Sequence, residues 1–300
     1  MRQPWVGQAS RLSDPAARRR HSATPPRRPA TSVPRHLKRS GAFHGEEFAD
    51  EWAAWRRRWP IQSGVSDETT IQVNFGRPMP LFPLDQVALL PQQVRPLHVF
   101  EPRYRQMVEH ALDGAGQIAL AVFERRPSDQ AEYLGSPTIR PAVCVGQIVQ
   151  HEKLPDGRYN ILVQGICRAR VLNEVPPDDD RLYRAAMLEP IGAENGDEGM
   201  LGSIRGRLES CLSEGELAHM RRAREIAEFL RNERIPTSAL MEVVSFTMIT
   251  DPAVQYRLLS EGDPLARWEI ISHELDGLER LIRIASKQHP EEWPKGCSWN

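Results

Sequence analysis

Six prolines fall between Pro78 and Pro102, in a stretch otherwise apolar enough for one long strand. Proline donates no ladder hydrogen bond and is confined to strand edges, first residues and bulges. Met79-Pro-Leu-Phe-Pro-Leu84, Val87-Ala-Leu-Leu-Pro91 and Arg95-Pro-Leu-His-Val-Phe-Glu-Pro-Arg-Tyr104 therefore read as short, bent β-segments. A second apolar block, Val143-Cys-Val-Gly-Gln-Ile-Val149, precedes Leu154-Pro-Asp-Gly157 and Tyr159-Asn-Ile-Leu-Val-Gln-Gly165. Pro155-Asp156-Gly157 is turn chemistry, so 143–154 and 158–164 are expected to form a hairpin.

The remaining pattern of this half follows from two periodicities. Val143, Val145 and Val149 are read as one strand face, and Gln117 to Phe123 and Tyr183 to Pro190 as further strands. Cys167, Ala169 and Val171 alternate with Arg168 and Arg170, which predicts a strand whose arginine face is wet. Arg125 to Pro141 reads as a polar loop. Pro102 suits a first helical position, and Tyr104, Met107, Val108, Ala111 and Leu112 then recur as a buried stripe ended by Gly114 and Gly116. About six short strands with one embedded helix imply a small, partly open barrel or folded sheet.

After Gly196 the period becomes helical. Met200, Leu201, Ile204, Leu208, Cys211 and Leu212 form one stripe, and Leu217, Met220, Ile226, Ala227 and Leu230 another. Pro236 precedes a short helix with Leu240, Val243, Val244 and Met248. Asp251-Pro252 and Asp263-Pro264 are paired start signals, an N-cap acid followed by an N1 proline. The last helix carries Leu265, Trp268, Ile271, Leu275, Leu278 and Ile282, and antiparallel packing is the economical arrangement. The fold class is α+β, a small folded sheet or pseudo-barrel followed by a C-terminal helical bundle.

A net charge of −1 conceals an asymmetry. Residues 1–45 hold ten Arg or Lys and one acid, Asp14, a net of +9; the rest holds 29 bases against 39 acids, a net of −10. This first segment is rich in Pro, Ser and Ala without apolar periodicity, so it is expected to be a disordered basic tail. It reads as a solvated tail or start-site artefact, an organellar transit peptide, or an arm for nucleic acid or acidic surfaces. In 46–76, Phe48, Trp52 and Trp55 fall at i, i+4, i+7 of an amphipathic helix, which binds a partner or folds back, and Pro60 to Gly76 is a linker. Residues 77–195 are the β-rich part, 196–288 the helical part and 289–300 a flexible C-terminus.

Several chemistries are missing from the sequence. No apolar run approaches the roughly 18–20 residues needed to cross a bilayer. Cys144, Cys167, Cys211 and Cys297 lack zinc or redox spacing and read as free thiols in a reducing compartment. No Gly-Lys dipeptide exists, which excludes a P-loop. Ser286-Lys287 are adjacent and do not face each other, so they form no dyad. His273-Glu274 lacks a second ligand one turn on. Asp178-Asp-Asp180 reads as a solvated turn in preference to a cation site. No catalytic residue, metal ligand or cofactor is therefore expected.

The Pro80-Leu-Phe-Pro-Leu84, Pro96-Leu-His-Val-Phe-Glu-Pro-Arg-Tyr104 and Leu154-Pro-Asp-Gly157…Gln164-Gly165…Arg168-Ala-Arg170 stretches resemble the substrate-binding domain at the N-terminus of Lon-type ATP-dependent proteases. The resemblance runs over about 79–285 and is looser in the helical half, at Asp251-Pro252 to Leu259. It implies a β-rich unit followed by helices that engages exposed protein segments, as a stand-alone module without motor or protease. No catalytic residue carries over.

Arg95, His98, Phe100 and Arg103 gather where a bent strand meets a helix. They are candidates for contacts to a bound peptide; otherwise Glu101 and Arg103 form a capping ion pair and His98 is a satisfied edge histidine. Phe82 and Phe100 are read as core. The expected partners are unfolded or tagged polypeptide and a separate AAA-type protease, in the cytoplasm unless the tail is a transit peptide. The alternative is an RNA-binding module, since folded barrels of this kind are similar to the PUA architecture. The acidic balance outside the tail and the lack of an aromatic stacking platform weigh against nucleic acid.

Overall fold

The computed structural model of the chain describes residues 71–192 and 198–287. The expected basic tail, the helix at 46–58 and the C-terminal stretch from 289 lie outside the described residues. Six strands form one sheet: β1 (Met79–Leu84), β2 (Val94–Val99), β3 (Gln117–Val122), β4 (Ala142–Lys153), β5 (Tyr159–Val175) and β6 (Ala185–Pro190). β1 lies parallel to β3, with Leu81 beside Ala119, and the other pairings are antiparallel. The order is β2-β5-β4-β3-β1-β6, and β6 also pairs with β5, so five strands close a ring and β2 stays outside it.

The long strand β5 serves two neighbours. Its first half, Tyr159 to Gln164, carries β2, and its second half, Ala169 to Val175, carries β6. The Pro155-Asp-Gly turn joins it to β4, and Gly157 adopts the positive φ (82°) that a side chain resists.

Three register shifts explain exposures that alternation alone predicts wrongly. An extra residue in one strand bends it and moves the following side chains to the opposite face. Ile166 is the extra residue of β5 between Gly165 and Cys167. Tyr159, Ile161 and Val163 therefore face the helices, whereas Ala169 faces the other side. Val149 is the extra residue of β4, and it is 42% exposed instead of sharing a face with Val143 and Val145. Leu172 is displaced in the same way, opposite Leu188 and Met187.

One face of the ring holds Leu81, Ala119, Ala121, Val143, Val145, Ala169 and Ala186, and helices cover the other. The first face is therefore the interior, where four alanines suit a narrow barrel. The outer core joins Phe82, Leu120, Cys144 and Ile161 to α1 (Pro102–Leu112) and the C-terminal helices. Gly114 and Gly116 both donate to the Ala111 carbonyl and end α1. The stretch read as a polar loop contains a further short helix, α2 (Gln130–Leu134). Its signal was Asp129 three residues before Glu132: Asp129 accepts from the Glu132 N–H at 2.8 Å, and Glu132 accepts from Ser128.

The helical segment comprises α3 (Glu198–Ser213), a 3₁₀ turn (Glu216–His219), α4 (Arg221–Leu230), α5 (Thr237–Met248), α6 (Pro252–Ser260) and α7 (Pro264–Ser286). The stripe from Leu217 to Leu230 is divided at Met220, whose backbone is extended. Asp251 and Asp263 cap α6 and α7 through the N–H groups of Ala253 and Leu265. No helix among the described residues is long and apolar enough to cross a membrane.

The arginine face of β5 is not wet at Arg168. Arg168 is 6% exposed, bonds to Glu242 of α5 at 2.8 Å and donates to the Leu258 carbonyl at 3.0 Å. Arg267 of α7 approaches the same carboxylate at 3.6 Å. Polar alternation on a strand marks a face but does not show whether water or another layer covers it. Arg170, two residues on, is exposed beside Glu189.

Candidate functional site

The phase of the β2 ladder decides what the strand offers. The Gly165 N–H donates to the Gln93 carbonyl at 2.8 Å. Antiparallel pairing alternates, so Arg95, Leu97 and Val99 direct their main-chain groups at β5. Those of Val94, Pro96 and His98 face away. Pro96 thus occupies a position where no N–H is required, which is how proline is accommodated in a strand. Among the described residues β2 pairs with β5 alone, leaving its outer edge without a ladder partner.

The side chains of β2 divide by face. Leu97 and Val99 join the outer core, and Arg95 lies on their side. Burial lowers the Arg95 pKa, and among the described residues its buried Nε has no hydrogen-bond partner and no acid is paired with it. Val94, Pro96 and His98 occupy the other face, continued by Phe100. His98 Nδ1 is 2.7 Å from Asn160 Oδ1, and Arg158 Nη1 is 3.1 Å from His98 Nε2. The Phe100 ring stacks near His98, with centroids 6.3 Å apart. Phe100 is 52% exposed, so it is not the core residue its apolar context suggested; Phe82 is buried against Tyr104.

Arg103 belongs to a different cluster. It pairs with Glu101 at 3.0 Å and lies over the Tyr104 and Tyr133 rings at 4.6 and 4.8 Å. Glu101 also accepts from the Tyr133 hydroxyl at 2.5 Å, and burial followed by this bond pushes the Tyr133 phenol pKa up. The set fastens the start of α1 to α2. Beside it opens a cleft of about 170 Å³ lined by Pro83, Leu134, Leu182 and Tyr183.

The four sequence candidates therefore do not form one patch. His98 and Phe100 meet, Arg95 lies on the reverse face of the same strand, and Arg103 is held elsewhere. Val94, Leu134 and Leu182, all exposed, were not singled out by sequence. Leu134 sat in the stretch read as loop, and an isolated leucine there carries no period. Asp178 turns back onto Arg181 at 3.0 Å. No group of three or more His, Cys, Asp or Glu among the described residues is placed to hold a metal ion.

Residues 78–277 match the sequence profile of the ATP-dependent protease La (LON) substrate-binding domain. The chain belongs to the Lon substrate-binding domain family. It is 28% identical over 230 residues to the Lon protease of Trichlorobacter lovleyi, covering 70% of this chain and 26% of that protein. It is 34% identical over 128 residues to the Lon protease of Haemophilus influenzae, covering 42% and 15%. The chain thus spans about a quarter or less of the length of these curated relatives. The N terminal domain of Mycobacterium avium complex Lon protease shares the fold, with a TM-score of 0.53 at 15% identity, covering 67% of this chain and 98% of that one.

Proposed function

We propose that this chain captures exposed, extended segments of polypeptide by strand addition along the outer edge of β2, and performs no covalent chemistry on them. The observation that carries the reading is an edge strand whose outer side has no ladder partner among the described residues, flanked by exposed Val94 and Phe100, in a substrate-binding family. Main-chain bonds to Val94 and His98 supply affinity whatever the sequence, while Phe100 contributes apolar contact. A solvated edge with apolar flanks is otherwise an aggregation hazard, and Pro96 limits it to short partners. Presentation of the captured segment to a separate AAA-type protease is the role we assign to it, since the matched family is a substrate-binding domain of an ATP-dependent protease. The free thiols of Cys144, Cys167 and Cys211 support a reducing, cytoplasmic setting.

Fluorescence anisotropy with labelled casein, an unfolded protein, tests the capture. Binding is expected to weaken at least tenfold in Phe100→Ala, with the melting temperature unchanged. It is expected to change less than tenfold between 50 and 200 mM salt, against the roughly 10³-fold or greater loss of a multi-phosphate contact. Equal binding by Phe100→Ala, or capture of RNA instead of casein, overturns the reading. Crosslinking in the native cell is expected to recover AAA-type protease subunits with the chain.

A further inference from the structure

We infer that the β2 edge selects extended segments carrying an acidic residue two positions from an apolar one, with Arg95 receiving the carboxylate. This rests on strand addition at β2 and specifies its ligand. Residues directly opposite each other in neighbouring strands place their Cβ atoms about 4.5–5.5 Å apart on the same face. An added strand therefore sets one side chain against Arg95 and, two residues along, another against Leu97.

Arg95 is unusual among the arginines of this region. Arg103 is neutralised by Glu101 at 3.0 Å and Arg158 by Asp156 at 2.6 Å. Among the described residues the Arg95 side chain has neither an ion pair nor a hydrogen bond, although its Nε is buried. A cation removed from water without a counter-charge is unfavourable, and an arriving carboxylate relieves this where an amide does so only weakly. The apolar neighbour follows from Leu97, which is half-buried on the same face beside Val99.

The test is anisotropy of two labelled ten-residue peptides of alternating polar and apolar residues, identical but for one central Glu or Gln, against the full chain. The Glu peptide is expected to bind at least tenfold tighter, and Arg95→Gln to erase that ratio while retaining the weaker, Gln-like affinity. Arg95→Glu is expected to invert the preference toward a Lys peptide. Equal binding of both peptides by the wild-type chain, or a Glu preference that survives Arg95→Gln, overturns the role of Arg95 and leaves strand addition standing. Failure of both peptides to bind overturns strand addition itself. The comparison of peptides on the unaltered chain does not depend on any variant folding.

Discussion

Arg168 of β5 donates from Nη2 to the Glu242 carboxylate of α5 at 2.8 Å, each side chain 7% exposed, where the ring meets the helices. Arg267 of α7 faces the second carboxylate oxygen at 3.6 Å and donates to the Glu261 and Gly262 carbonyls. Two cations thus share one anion; the Leu258, Glu261 and Gly262 carbonyls accept from further guanidinium N–H groups, while Arg267 Nε is buried without a hydrogen-bond partner. Burial, then the neighbouring Arg168, lowers the Arg267 pKa.

Removing the anion leaves both guanidiniums uncompensated. Glu242→Gln is expected to lower the stability of unfolding by about 3–5 kcal/mol, since a broken buried pair strands its partner. Arg168→Met is expected to lose less, because Arg267 still faces the carboxylate. Urea unfolding midpoints at constant slope measure both, and equal losses would show that Arg267 carries none of the charge.

Gly165 marks the point where β5 changes neighbours. A Cβ there would clash with the backbone carbonyl of Leu90, whose side chain is fully buried. Gly165→Ala is expected to destabilise by about 1–3 kcal/mol, in the range of overpacked cores. Gly202 and Gly206 in α3 have open space around a Cβ. Alanine at either is expected to stabilise by about 0.4–1 kcal/mol through reduced unfolded-chain entropy. Thermal melts of the three variants should move in these opposite directions.

Burial pushes the Cys167 thiol up from 9.0 to about 11, and the Cys144 thiol is raised further by the same cause. The unfolded chain therefore releases these protons first. Their contribution to stability is complete below pH 9.0 and declines as pH rises toward 11 and beyond. A Cys144→Ala, Cys167→Ala chain should show a flatter fall in urea midpoint between pH 8 and 10.5. At pH 8 the native Cys167 should alkylate about 100-fold more slowly than an ordinary thiol, as its thiolate fraction is lower by that factor. Labelling followed by peptide mass spectrometry reads this directly.

Some elements were readable because their causes are local. Asp251-Pro252 and Asp263-Pro264 announced helix starts, and Asp251 and Asp263 do accept the first-turn N–H groups. The Pro155-Asp-Gly turn and the glycines after α1 were equally explicit. Two features carry local signals that the apolar period does not show: Asp129-x-x-Glu132 starts a helix inside a polar stretch, and the extended backbone at Met220 interrupts the helical stripe. The candidate site was legible as a place in the chain but not as a surface, because the sequence does not reveal which way β2 pairs.

What the residues alone determined is the set of short β-segments, the later helices and the family to which residues 78–277 belong, since turn chemistry, capping and apolar period act over a few neighbours. What only the tertiary structure decided is which faces are covered. A bulge at Val149 exposes one valine of an apolar strand, the helices bury Arg168, and Phe100 is left exposed just beyond the edge strand β2. Each depends on what the neighbouring strand or layer does, from the hairpin partner of β4 to helices far along the chain from Arg168, and periodicity records a face without recording what meets it.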